Sequence, residues 1–533
     1  MNKPITLLLA CLLNVLVLFA SSPQLVWYQP YGEATNNQQV VVTAIDNYDN
    51  TFAAGFVSFG NYGNIIINRY DGVGALKWNR IYNNNIPAAT SDKPVALFPD
   101  NQAGVTVIGY VHTQAILTHI FSYDGSGNLT SDYLLGDTTT GYKTIPLAVL
   151  SDGSPSFYML GLLNNVSSVF KCNNSGHVIW STPVRNDYNN QVGSISFDQF
   201  GNVVAGVFDS LLPQVIIHRF DRNTGTELPG FNSHINSLPA NGNFIKISVD
   251  QGNNIFLAST GPDTASRTQL VVNKFDTTGT LLWSTTCTSS KGHTNMMNSF
   301  LLDHNGDVLI SGPYTDNTDT LQYAGVYKIA NTSGCVIWSA IDSQFLVNSA
   351  VTQVDQFNNV YLGTTKTPSN ISPYYSQFSF SQLNSDSGKV NWNRSFDNTL
   401  DNTGLLMQVN NFGDLFFATN TPTDTSTLWF LGRVGNAAGD VHGTSIEPVT
   451  SVSTLNVFPN PFVATTNISF TVAKEEKLSL KMYNITGQLL QEKGIQSVTG
   501  YNQFELNSTA APGIYLVKLD GSSGSSVQRV VIY

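Results

Sequence analysis

The stretch KFDTTGTLLW at 274–283, read together with VDQGNNIFLAS at 249–259, decides the fold, because both halves recur along most of the chain. The first half is an Asp or Asn turn running into an apolar segment. It returns at Asp46, Asp100, Asp152, Asp198, Asp250, Asp303, Asp355 and Asn410, at intervals of 46 to 55 residues. The second half centres on a turn glycine, at Gly74, Gly127, Gly176, Gly225, Gly279, Gly334, Gly388 and Gly439. The two series alternate without a skip. A period near fifty residues marks a solenoid, a propeller or an array.

Each half reads as a β-hairpin. An Asp or Asn side chain closes a turn on its own backbone, and the Gly or Asn that follows supplies positive φ. The flanking runs, such as Ile65-Ile66-Ile67 and Val215-Ile216-Ile217, are β-branched and scarcely alternate with polar residues, as expected of strands covered on both faces. Two hairpins give four short strands, the content of one propeller blade. Eight copies predict an all-β fold with an eight-bladed β-propeller; seven blades is the alternative if the 100–131 copy is irregular. A Trp stands four residues after the second glycine in five copies, at Trp78, Trp180, Trp283, Trp338 and Trp392, and is read as packing between blades. The eighth copy stops short of that aromatic strand, whereas VWYQPY at 26–31 supplies one with Trp27 and has no blade before it. Pairing the N-terminal strand into the last blade would close the ring and remove two exposed edges.

These units, over roughly 24–445, resemble bacterial β-propeller repeats that carry Asp-x-x-Gly-x-x-x-Trp hairpins. That resemblance implies a fold and little about function. Beyond a linker at 446–454 the pattern changes. Ile468, Phe470 and Val472 alternate with Asn467, Ser469 and Thr471, and about seven short strands in eighty residues predict a small Ig-like β-sandwich at 455–533. The segment resembles the type A sorting domain that ends cargo of the type IX secretion system of Bacteroidetes. The resemblance is carried by Pro459, Asn460 and Pro461, by the YNITGQ stretch with Gly487, by Gly513 and Tyr515, and by the terminal Arg529-Val530-Val531-Ile532. It departs mildly in having Phe458 before the Pro-Asn-Pro. It implies the type IX machinery as a partner, export across the outer membrane, removal of the domain, and release or attachment to surface lipopolysaccharide.

Residues 1–20 read as a secretory signal peptide, with Lys3 ahead of an apolar run from Ile5 to Ala20. The mature chain then keeps Cys172, Cys287 and Cys335, an odd number that builds no disulfide framework; buried thiols are expected. A net charge of −11 with a pI near 5.1 disfavours nucleic acid as a partner.

No HExxH, CxxC, phosphate-binding loop or nucleophile elbow occurs in the sequence. Asp303, Asn305 and Asp307 carry oxygens at alternate positions, as a calcium loop would, but the same position in the other copies is a hairpin turn. The expectation is therefore an exported surface or extracellular binding protein without catalytic residues, metal or cofactor. The alternatives are a secreted polysaccharide hydrolase or lyase and a structural adhesion component. Ligand contact, with a glycan or a protein, is expected where the repeat fails: at 313–323, and at 369–378 with its exposed pair Tyr374 and Tyr375.

Overall fold

The computed structural model describes residues 23–532 except 33–36, 60–61, 83–91, 113–114, 137–142, 186–192, 210–213, 229–232, 237–244, 263–267, 290–291, 295–296, 317–321, 343–345, 368–375, 399–402, 423–426, 436–454, 459, 461, 473–474, 485–487, 499 and 522–523. The signal segment and the Tyr374-Tyr375 pair lie outside the described residues.

Each copy of the repeat becomes one antiparallel sheet laid down in chain order. In the copy that opened the sequence reading, Ile245–Val249, Ile255–Pro262, Thr268–Phe275 and Leu281–Thr286 pair successively. The first strand of every sheet touches the first strand of the next. The circle runs Asn37–Ile45, Lys93–Pro99, Ile145–Ser151, Gly193–Phe197, Ile245–Val249, Ser299–Leu302, Leu346–Val354, Thr403–Val409 and back to Asn37–Ile45. The second and third strands of each sheet are buried on both faces, so apolar cores such as Val204, Ile217, Ile247 and Leu257 lie between neighbouring sheets.

The inner strands present a backbone edge to the ring centre, and side chains of adjacent sheets occupy it. Ser194 Oγ accepts from Ile247 N, Ser299 Oγ from Thr352 N, and Asn298 Oδ1 from Ala350 N. Gln353 donates to Met407 O and Gln408 to Thr43 O. Sheet edges blunted in this way offer little to a strand from outside.

The Trp of the repeat has a defined seat. Trp180 lies against the turn glycine of the following sheet, where a Cβ on Gly225 would stand 2.4 Å from its ring. Its indole N–H donates to Arg222 O at 3.1 Å. Trp78, Trp283 and Trp338 donate in the same manner to Gly125, Asn331 and Ser385. The Asp-x-x-Gly-x-x-x-Trp signature is thus two halves of an inter-sheet joint, the glycine receiving one Trp while its own sheet sends another onward. In the sheet that has Ser131 instead, Tyr133 takes the seat beside Gly176.

The ring closes as its sequence predicted. Gln24–Tyr31 pairs antiparallel with Thr427–Gly435, Trp27 opposite Arg433 and Tyr31 opposite Trp429. Trp27 donates to Gly72 O at 3.2 Å and its ring sits under Gly74, whose φ is +83°. Arg433 lies in the same seam: Nη2 reaches Asp414 Oδ2 at 2.5 Å and Asp49 Oδ2 at 3.7 Å, and Nη1 donates to Gly72 O at 3.0 Å.

The C-terminal region forms two sheets over one core. Asn456–Phe458, Thr465–Val472 and Gly500–Asn507 make one. The other has the order Leu489–Gln496, Lys477–Asn484, Gly513–Gly521 and Gly524–Ile532. Ile468, Phe470, Val472, Tyr515, Val517 and Leu519 are all buried between them, as their alternation required. Cys172 and Cys287 are buried, and desolvation pushes both thiols up to about 12. Cys335 is exposed, contrary to expectation, because it follows the turn glycine Gly334 on the rim of its sheet.

Candidate functional site

Both hairpin turns of each sheet fall at the same end, so the Asp turns gather around one mouth of the ring. Seven of them share one construction, the Asp152 turn departing with its positive φ at Gly153. Asp198 Oδ1 accepts from Phe200 N at 2.9 Å and Asn202 N at 2.8 Å. Asp250, Asp303, Asp355 and Asn410 repeat this two-bond clasp. Positive φ follows at Gly201, Asn253, Gly306, Asn358 and Gly413.

The second carboxylate oxygen is neutralised from within. A cation two residues before the second turn reaches back beneath the first one. Arg219 meets Asp198 at 2.7 Å, Lys274 meets Asp250 at 3.6 Å and Lys328 meets Asp303 at 2.7 Å. Lys328 is also 3.4 Å from Asp307, so an ammonium fills the space a calcium ion would need in the DHNGD loop. At Asp355, where Gln382 replaces the cation, the Tyr361 hydroxyl donates at 2.9 Å, and burial beside that carboxylate raises the phenol. These carboxylates are therefore occupied as turn clasps. Among the described residues no three His, Cys, Asp or Glu side chains converge as metal ligands.

What the clasps hold outward is the third residue of each turn. Phe200, Phe357 and Phe412 are 64%, 69% and 51% exposed, with backbones fixed by the preceding Asp or Asn. Amide groups connect neighbouring turns: Asn47 Nδ2 donates to Asn101 Oδ1 at 2.9 Å, Asn358 Oδ1 accepts from His304 N at 3.0 Å, and Gln356 donates to Asn411 O. A cleft of about 740 Å³ opens here, floored by Gln251, His304, Asn305, Gln356 and Asn411. Its opposite wall comes from the C-terminal sheets through Ile514, Arg529 and Val531, with Arg529 donating to Gln356 Oε1.

The predicted loops fare differently. Much of 313–323 is strand, since Pro313–Asp316 ends one strand and Gln322–Tyr323 begins the next, and Tyr314 is fully buried. Among the described residues, the most exposed aromatics stand inside the repeat. The signal was available as Asp/Asn-x-Phe in FDQFGN, VDQFNN and VNNFGD.

The described motif residues of the C-terminal segment lie at joints of its own sheets. Asn460 Oδ1 accepts from Val531 N at 2.8 Å while its Nδ2 donates to Arg529 O at 2.8 Å, which ties the start of the segment to its last strand. Tyr515 donates to Ala511 O at 2.5 Å, and Gly513 begins the same strand. Pro459, Pro461 and Gly487 lie outside the described residues.

A separate cluster sits between the first two sheets. His119 is fully buried; its Nε2 meets Asp132 Oδ1 at 2.7 Å, and the Tyr82 hydroxyl donates to the same carboxylate at 2.9 Å. His119 Nδ1 is buried without a hydrogen-bond partner among the described residues, and its ring packs on Tyr82 and Phe121. Burial lowers its pKa despite the opposing pull of Asp132. A histidine with a depressed folded pKa binds its proton more readily when unfolded, so its contribution to stability falls as pH drops below about 6.5. The urea midpoint should decline from pH 7.5 to pH 5.5, and His119→Phe should flatten that decline. A slope unchanged by the substitution would exclude this histidine as its source.

A closed circle of four-stranded sheets with a clasped turn face defines a β-propeller, here followed by a two-sheet module. That module, at 456–533, matches the secretion system C-terminal sorting domain. The chain is accordingly a type IX cargo, carried to the cell surface or the extracellular space, and it engages the type IX machinery on the way. A comparison with curated proteins gave no match. Among solved structures, the WD40 domain of SCAP from fission yeast is similar at 10% identity and a TM-score of 0.41, over 78% of this chain and 99% of that one. An ulvan lyase, from a new family of polysaccharide lyases, is similar at 11% identity and a TM-score of 0.39, over 64% and 96%. A protein of unknown function from Dyadobacter fermentans is similar at 11% identity and a TM-score of 0.33, over 64% and 94%. The fold rests on the strand topology rather than on these distant likenesses.

Proposed function

We propose that residues 24–445 form an eight-bladed propeller that serves at the cell surface or beyond as a saccharide-binding protein, with the turn face as its contact surface. The carrying observation is the set of aromatic rings held outward on rigid turns beside amide groups. Ring faces stack on the C–H surfaces of sugars, and carboxamides exchange hydrogen bonds with hydroxyls. Fixed turns also lessen the ordering cost of binding. The carboxylates of this face are committed to turn backbones and internal cations, which favours binding over hydrolysis. Attachment to surface lipopolysaccharide after sorting would set the turn face among cell-envelope and environmental glycans.

Affinity electrophoresis of the full chain through gels containing neutral polysaccharides provides the test. Retardation is expected on at least one of them, weakened about tenfold by Phe357→Ala and by Gln356→Ala. Absence of retardation on every polysaccharide, or retardation indifferent to both substitutions, would overturn the proposal. New reducing ends or unsaturated products in the same gels would instead establish a hydrolase or a lyase.

A further inference from the structure

The sorting module must be recognised by the export machinery, yet two of its described motif residues are spent on its own construction. Asn460 ties down the last strand, and Tyr515 is buried with its hydroxyl bonded to Ala511 O. Recognition therefore falls to what the folded module displays on its outer faces.

On the sheet of Thr465–Val472 and Gly500–Asn507, the central outward pairs are polar. Asn467 stands opposite Glu505 and Ser469 opposite Gln503. On the other sheet the register places outward residues in rows. Leu489, Tyr483, Leu516 and Arg529 form one row across all four strands. Ile514 and Val531 extend it at one end. The neighbouring row is Glu492, Lys481, Lys518 and Val527. Leu489, Leu490, Leu516 and Val527 are 44%, 44%, 39% and 50% exposed. An exposed apolar band across one face of so small a module marks a protein contact.

We infer that this band is the surface by which the type IX machinery reads the cargo. The inference rests on the sorting assignment, not on the saccharide reading. Ile514, Arg529 and Val531 already line the cleft against the propeller turns, so the contact centres on Leu489 and Leu516, with Val527 beside them at the end of the neighbouring row. Lys481 and Lys518 lie beside the band and share Asp520, at 3.1 Å and 2.8 Å. The fitting partner is thus a protein of the machinery offering an apolar ridge flanked by carboxylates, which would exchange with Asp520 for the two ammonium groups.

The experiment compares full-length variants in a host competent for type IX export. Leu489→Glu with Leu516→Glu should reduce protein in the medium and on the surface about tenfold or more, with accumulation in the periplasm, since charges would be buried against apolar surface. Asn467→Lys with Gln503→Lys, on the polar face, should leave export unchanged. Melting of the purified variants identifies any loss due to misfolding; the milder Leu516→Thr with Val527→Thr then decides. Wild-type export of folded band variants, or equal loss from the polar face, would overturn the inference. Full export of a chain lacking 453–533 would instead remove the sorting assignment beneath it.

Discussion

Arg433→Ala is expected to destabilise the ring by about 3–5 kcal/mol, the typical cost of removing one partner from a buried ion pair. The arginine is 1% exposed and joins the seam three ways: to Asp414 in its own sheet, to Asp49 in the first, and to the backbone carbonyl of Gly72. Without it two carboxylates, each 2–3% exposed, lose the guanidinium they face. Arg433→Met should be nearly as harmful, because the charges rather than the volume are at fault. Adding Asp49→Asn and Asp414→Asn to that background should recover much of the loss. Urea midpoints for the four proteins check this; a neutral Arg433→Ala would show that the seam does not depend on the pair.

Trp27→Ala should cost a similar amount, about 3–5 kcal/mol, as large buried aromatics do when truncated. The ring is 7% exposed, stacks on Tyr70 with centroids 6.1 Å apart, and packs under Gly74 of the sheet it locks to. Trp27 and Arg433 are register partners that donate to the same carbonyl, so their losses should not add. A coupling of about 0.5–3 kcal/mol is expected from the double mutant. Strict additivity would mean that the closing strand and the ion pair act as independent fasteners.

The fold was legible because its most demanding positions repeat. A positive-φ turn tolerates few residues, and a glycine that must admit an indole tolerates none larger, so Asp, Gly and Trp survive in register while the strands between them drift. Trp27 betrayed the closure for the same reason: a joint residue without its sheet pointed to the copy lacking one. The cations beneath the turns were harder to see. Arg219, Lys274, Lys328 and Arg433 share one position, but a single basic residue in a strand looks solvent-exposed until the turn above it is placed.

The sequence reading and the structure direct attention to different candidate contact surfaces. Departures from a repeat often carry function, and that directed attention to 313–323 and 369–378. Phe200, Phe357 and Phe412 escaped notice because they occupy a turn position filled in the other copies by Tyr48, Gln102, Ser154, Gly252 and Asn305, where nothing dictates the side chain. Freedom at that position is what the proposed saccharide contact would use. The apolar band of the sorting module was hidden for a different reason. Leu489, Leu516 and Val527 lie far apart in sequence, and only the strand register sets them side by side.

The seam also fixes a timetable. Gln24–Tyr31 leaves the inner membrane first, yet its partner Thr427–Gly435 is almost the last of the propeller to follow. During that interval the leading strand, with Trp27 and Tyr28 and an unsatisfied backbone, has no place to go, and the final sheet lacks an edge. A pairing between chain segments so remote forms slowly and leaves aggregation-prone surface waiting. The sorting module follows the seam by only a short connection, so the address label emerges just after the ring can first be shut. A cargo built in this order presents its export signal at about the moment it becomes a finished object.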